Sequence, residues 1–290
     1  GANDPIRNAG KIRNQGFEFN LGWNESLNKD LSYGVSFLGT YNKNEVVEMG
    51  AESQVITGGT IHGGTYTSRT LAGYPIGGFW LIPTDGYFNS TEEVQAHQKD
   101  GVLIQPSAEP GDIRFKDTNN DGTINDEYRV YCGSPFPKFT YSINGNITYK
   151  NVDFSIGFQG VTGNKIYNAT KLELTDVTRG TNYLASTLDY WTPENTNAKY
   201  PRPDYSRSAH QGIKYIDRSF IKLQKVALSY DLTRFVKPVG FNNMVLSVSA
   251  DNLFTIAPHW DGLDPETDQG LRDNALPSIR TYQMTLMFNF

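Results

Sequence analysis

The stretch DTNNDGTINDEY, residues 117–128, sets Asp117, Asn119, Asp121 and Thr123 at alternate positions, with Gly122 between the last two. This is the spacing of an EF-hand-type calcium loop. Alternate side-chain oxygens turn inward, and glycine permits the sharp turn. The register is imperfect, because the closing position of such a loop carries a bidentate acid and here it holds Tyr128. Asp126 and Glu127 come just before it. The spacing predicts a Ca2+ site at 117–128 built from Asp117, Asn119, Asp121, Thr123 and Glu127. The plain alternative is a tight polar turn held by Asx hydrogen bonds. No other cofactor is required. A second set of groups suits sugar recognition: Trp80, Trp191 and Trp260 lie in segments rich in Pro, Asp and Gly. Aromatic faces stack on sugar rings, so these three are candidate substrate-binding residues, against the simpler expectation of loop packing or burial under a partner. Catalysis has no comparable pattern. His62, His97, His210 and His259 lack metal-ligand spacing, and no serine elbow, Cys–His arrangement or phosphate loop occurs. The chain is not expected to be an enzyme.

The elements that would carry these groups are strands. In GFEFNLGWN, Phe17, Phe19, Leu21 and Trp23 alternate with Glu18, Asn20, Gly22 and Asn24. Period-two alternation recurs in LSYGVSFLGTY, in KFTYSINGNITYK and from Val152 to Gln159, and again at the end in RTYQMTLMFNF. In SFIKLQKVALSYDL the phase breaks: Ile221 and Leu223 disagree with Val226, Leu228 and Tyr230, which predicts a bulge near Gln224. About seven strands result. Short connections near 25–30, 150–151 and 233–243 alternate with long ones at 46–134, 163–214 and 257–277. Structureless loops of that length argue against a compact soluble domain. They match an outer-membrane barrel, which has short periplasmic turns, long external loops and strands that alternate apolar-out and polar-in. A β-sandwich could give the same alternation within a strand.

Composition is consistent with this. Hydrophobic residues make up 38% of the 290, and the mean hydropathy is -0.49. No run approaches the ~20 apolar residues of a membrane helix, but a barrel strand never shows such a run. Aromatics reach 13%, with 17 Tyr and 16 Phe, which suits strands and interfacial belts. A net charge of -5 gives no footprint for nucleic acid, and the single Cys132 excludes an internal disulfide.

Several longer segments are more specific. GDIRFKDTNNDGTINDEYRV, followed by GSPFPKFTYSINGNITYKNVDFSIGFQGVTGNKIYN, resembles the C-terminal barrel region of SusC-type TonB-dependent outer-membrane transporters of Bacteroidota. NAGKIRNQGFEFNLGW, YWTPENTNAKYPRP, SFIKLQKVALSYDL, SADNLFTI and DGLDPE are similar to that region too, in the same order. The resemblance implies an all-β transmembrane antiparallel barrel, with residues 1–290 as about the last seven strands of a plugged barrel of about 22. The plug and the TonB-contacting segment would lie outside this sequence. It implies TonB-dependent import of oligosaccharide or peptide in the outer membrane. The partners would be a SusD-like lipoprotein lid, TonB, the remainder of the barrel and plug, and lipid, in a dimer of transporter–lid pairs. The terminal row Tyr282, Met284, Leu286, Phe288 and Phe290 resembles the signal read by the barrel-assembly machinery. The alternatives are a passive porin or structural barrel, and a secreted carbohydrate-binding β-sandwich.

Overall fold

Seven long strands account for the alternating segments of the sequence. They are β1 (Gly10–Asn28), β2 (Leu31–Met49), β3 (Phe139–Tyr149), β4 (Val152–Thr162), β5 (Phe220–Asp231), β6 (Asn243–Ile256) and β7 (Thr281–Asn289). A computed structural model describes residues 10–50, 54–58, 60–61, 65–125, 129–180, 182–204, 216–240, 242–260, 264–266 and 278–289. All seven strands form one antiparallel sheet, each hydrogen-bonded to its neighbours in chain order. Glu127 and Phe290 fall outside the described residues.

The register turns the alternation of each strand into two continuous faces. Trp23, Val35, Gly145, Ile156, Val226, Ala250 and Tyr282 form one row across the sheet. The adjacent row, Asn24, Gly34, Asn146, Ser155, Ala227, Ser249 and Gln283, points the other way. Because the side-chain period is two, a slip of one residue in any pair would mix the faces. The bulge falls where the phase breaks. Gln224 is left out of the pairing with β4, and the mismatch continues into β6, where Asn252 takes a left-handed φ of 56°. The extra residues return Val226 and Ala250 to the apolar face.

The apolar face is not a core. Phe17 and Trp23 are each 60% exposed and Met284 75%. The buried apolar cluster lies elsewhere, in the connections, where Phe79, Leu81, Tyr167, Ala169 and Leu172 pack with Cys132. A β-sandwich inverts this arrangement, since its apolar faces pack on each other. One sheet with an uncovered apolar side and its packed cluster in the loops is the pattern of a wall in lipid. Among the described residues β1 and β7 are the sheet's edges, each with one neighbour.

The connections differ from expectation in length and content. β2 continues to Met49, so the stretch expected as loop from residue 46 begins as strand. The connection that follows is not structureless. It contains the strand Gly78–Leu81, which pairs with Val130–Gly133, and the helix Thr91–Ala96, whose N-terminus is capped by Ser90 accepting from the Glu93 N–H. The turn after β5 holds a short helix at Thr233–Val236, started by Asp231 Oδ1 accepting from the Thr233 N–H at 2.8 Å. The strand ends joined by 29–30, 150–151 and 232–242 lie at one end of the sheet, and those joined by 50–138, 163–219 and 257–280 at the other. β7 ends at the short-turn side, where the Asn242 N–H donates to the Asn289 carbonyl at 2.9 Å.

Two glycines of the seven-stranded sheet receive aromatic rings. A Cβ on Gly39 would sit 2.5 Å from the Phe19 ring, and one on Gly160 would meet the Tyr141 ring at 2.4 Å and the Phe220 carbonyl at 2.6 Å. The ring can swing away, but the carbonyl belongs to the β4–β5 ladder and cannot. Gly160→Ala is therefore expected to destabilise the folded protein by about 1–3 kcal/mol, as overpacking of a fixed backbone does. Gly39→Ala, which meets only side chains, should cost less. Denaturant unfolding in detergent micelles compares them, and equal midpoints for the two variants would contradict the assignment.

Candidate functional site

The functional surfaces are the two faces of the wall and the cluster of long connections. Along the apolar face, aromatic rows mark two boundaries. Phe17, Tyr41 and Phe139 stand together at the long-connection end. Tyr149 and Tyr230 stand at the short-turn end beside Leu31, Val152, Leu246 and Leu286. Between them β4 runs from Val152 to Thr162. At ~3.3 Å per residue and a barrel-like tilt this spans roughly 25 Å, the height of the apolar band of an outer-membrane barrel. Within these rows Glu25 is the single acid among the described residues. Its carboxylate accepts from Tyr33 Oη at 2.8 Å and Trp23 Nε1 at 3.3 Å. Pairing of this kind reduces the cost of a charge near lipid. Of the expected assembly residues, Tyr282, Met284, Leu286 and Phe288 all lie on this face, exposed.

The opposite face is a polar wall of Ser, Asn, Gly and Thr. Asn144 Nδ2 reaches Ser36 Oγ at 3.5 Å, and Ser229 and Ser247 hydroxyls lie 2.8 Å apart. Its charged residues include Asp153 and Asp231 near the short turns. Lys225 stands opposite Asp251, and one residue pair further out Lys222 is buried against Asp264 and Glu266. Burial pushes the Asp264 carboxyl up, but hydrogen bonds from Ser278, the Glu266 N–H and Lys222 outweigh it, so its pKa falls below the ordinary carboxylate value.

In the loop cluster Asp112 is 2% exposed and pairs with Arg202, whose Nε lies 2.5 Å from Asp112 Oδ1. Arg202 also reaches Glu109 at 2.7 Å and Asp204 at 3.0 Å. This clasp fastens the segment near 200 to the loop before Ile113. Trp191 belongs to the same junction: it is 7% exposed, its Nε1 donates to Asn89 Oδ1 at 3.0 Å, and its ring lies against Gly111. Trp80 is 9% exposed and packs edge-on against Tyr74, with ring centres 4.7 Å apart, and near Tyr131. Trp260 is half-buried beyond the end of β6. Each tryptophan sits in its own surroundings, and burial occupies the first two with loop packing in this chain.

In the calcium-like loop the carboxylates accept from the loop's own backbone. Asp117 takes the N–H groups of Asp121 at 3.2 Å and Gly122 at 2.7 Å, and Asp121 takes that of Thr123 at 2.9 Å. This is the Asx-turn geometry. The oxygen donors of Asp117, Asn119, Asp121 and Thr123 suit a hard cation. Among the described residues no group of three or more His, Cys, Asp or Glu is gathered for a metal.

Sequence reasoning passed over two features of this region: the Arg202–Asp112 clasp, whose partners are distant in sequence, and the burial of Lys222. A lysine on the polar face of a strand reads as solvated until the loop that covers it is seen.

No protein-family model matches the chain. Curated proteins do. Over 305 aligned residues and 100% of the chain, it is 28% identical to TonB-dependent receptor P3 of Formosa agariphila. It is 24% identical to TonB-dependent receptor SusC of Bacteroides thetaiotaomicron over 98% of its length. By sequence and fold the chain resembles the barrel of SusC-type TonB-dependent receptors. The structure of the RagAB peptide transporter superposes on 98% of the chain with a TM-score of 0.78 at 19% identity, which shows the shared fold. The chain spans about 30% of the length of receptor P3 and 27% of that of SusC. The sheet is part of a larger transmembrane β-barrel, and among the described residues β1 and β7 are its open edges. In hydrocarbon those edges need partners, because each unsatisfied backbone group costs several kcal/mol.

Proposed function

We propose that the protein works in the outer membrane as part of a TonB-dependent importer of nutrients, oligosaccharide or peptide, with a SusD-like lipoprotein over the external loops. The observation that carries this is the wall itself: a continuous apolar face, a continuous polar face and every long connection at one end, in a chain similar throughout to TonB-dependent receptors. The polar face then lines the lumen, and the connections at 50–138, 163–219 and 257–280 face outward. Import rather than catalysis is the activity. Within this reading a weakly held Ca2+ at the 117–128 loop and stacking of a substrate on Trp260 are further proposals. The energy source separates the importer from a passive porin. In cells carrying the full-length gene product, a protonophore or loss of TonB should abolish uptake of the cognate nutrient. Uptake that continues unchanged would leave the porin reading in its place.

A further inference from the structure

Lys222 projects from the polar face of β5, between Gln159 of β4 and Thr255 of β6. A lysine lining a water-filled lumen would be expected to keep its ammonium in water. This one is 2% exposed. What covers it is the segment Asp264–Pro265–Glu266, from the connection between β6 and β7. Lys222 Nζ donates to Asp264 Oδ2 at 3.2 Å and to Glu266. The Gln159 amide also donates to Glu266, and Arg218 Nε donates to the Pro265 carbonyl. The Glu266 N–H closes the turn on Asp264 Oδ1 at 2.8 Å. Asp264 is 4% exposed, and Pro265 is buried too.

The arrangement is specific in two ways. The partners come from β4, from β5 and its lead-in, and from the β6–β7 connection, so the contact joins the loop to the wall rather than to other loops. An ammonium and a carboxylate are both withdrawn from water, which costs several kcal/mol per ion unless hydrogen bonds compensate. Here they do, on both sides. A loop that merely arched over the rim would leave Lys222 solvated and would have no reason to place an acid on each side of a proline.

We propose that Asp264–Pro265–Glu266 is a strap held against the inner wall, where it narrows the passage, with Lys222 as its fastening. This rests on the reading of the polar face as the lumen. Loss of the fastening frees the strap from the wall.

The test uses the full-length receptor in whole cells, with Pro265→Cys as the reporter and an impermeant maleimide as the probe. The introduced thiol and native Cys132 are separated by peptide mass. With Lys222 present, the reporter should label slowly. With Lys222→Met its labelling should accelerate roughly tenfold or more, since removing one partner of a buried pair leaves the carboxylates uncompensated. The combination Lys222→Met, Asp264→Asn and Glu266→Gln leaves no lone buried charge and should show the same acceleration at normal surface levels. Unchanged labelling in the combination overturns the strap. So does failure of the combination to reach the surface, because that would assign the cluster to folding of the wall. Thiols placed at Asn195 and Lys150 in the same cells report the lumen reading separately. If they invert, the strap is judged on reporter protection in detergent-solubilised protein, where both faces are accessible.

Discussion

Arginine in place of Ile156 will stop the full-length protein from accumulating folded in the membrane, while arginine at the adjacent Ser155 will be carried. The two positions are neighbours on β4 and differ in face. Ile156 lies in the middle of the apolar band, between Gly145 and Val226 and about midway between the aromatic rows. Ser155 lies in the polar row between Asn146 and Ala227. A guanidinium at the bilayer midplane of a barrel costs about 2–4 kcal/mol, whereas a substitution facing the lumen tunes the channel instead. Against a typical margin of 5–15 kcal/mol, and during an assembly step that must insert this strand, the lipid-facing change removes a large share of stability. Shift of the folded band on unboiled gels, with denaturant unfolding in lipid vesicles, measures the difference. Equal behaviour of the two variants would mean that the faces are not lipid and lumen.

On whole cells, a cysteine at Asn195 is expected to react with an impermeant thiol reagent and one at Lys150 is not. Both residues are exposed in the structure, so reactivity reports the side of the membrane rather than burial. Asn195 belongs to the connection between β4 and β5, and Lys150 to the turn between β3 and β4. These connections leave opposite ends of the sheet. A protein of this architecture keeps its short turns in the periplasm and its long loops outside. The expected contrast is nearly all-or-none, because the outer membrane excludes the reagent. Labelling at Lys150 alone would turn the wall over, and the loop cluster would then face the periplasm, where no external lid could dock.

The sequence alone determined the strands. Phe139 to Tyr149 can alternate only as a strand with one apolar face, and the phase error between Leu223 and Val226 fixed the bulge before any pairing was known. Period-two patterning is local, so it is legible residue by residue. Connection lengths were legible too, to within the strand ends: Val46 to Met49 read as loop because the alternation weakens there, yet pairing with β1 holds them in the ladder. The tertiary structure alone decided where each face looks and what the loops bury. Alternation within a strand is the same in a sandwich and in a barrel wall. Only the register shows seven apolar stripes joining into one uncovered surface while Phe79, Tyr167 and Leu172 pack among the connections. Trp80 and Trp191 carried a stacking chemistry that their sequence surroundings allowed, and in the structure both are buried among the loops. The pairs Lys222–Asp264 and Arg202–Asp112 join residues 42 and 90 positions apart. No local pattern encodes such a pair: the partners meet only once the loops have closed on the wall or on each other, and their attraction is strong only where that closure shields them from water.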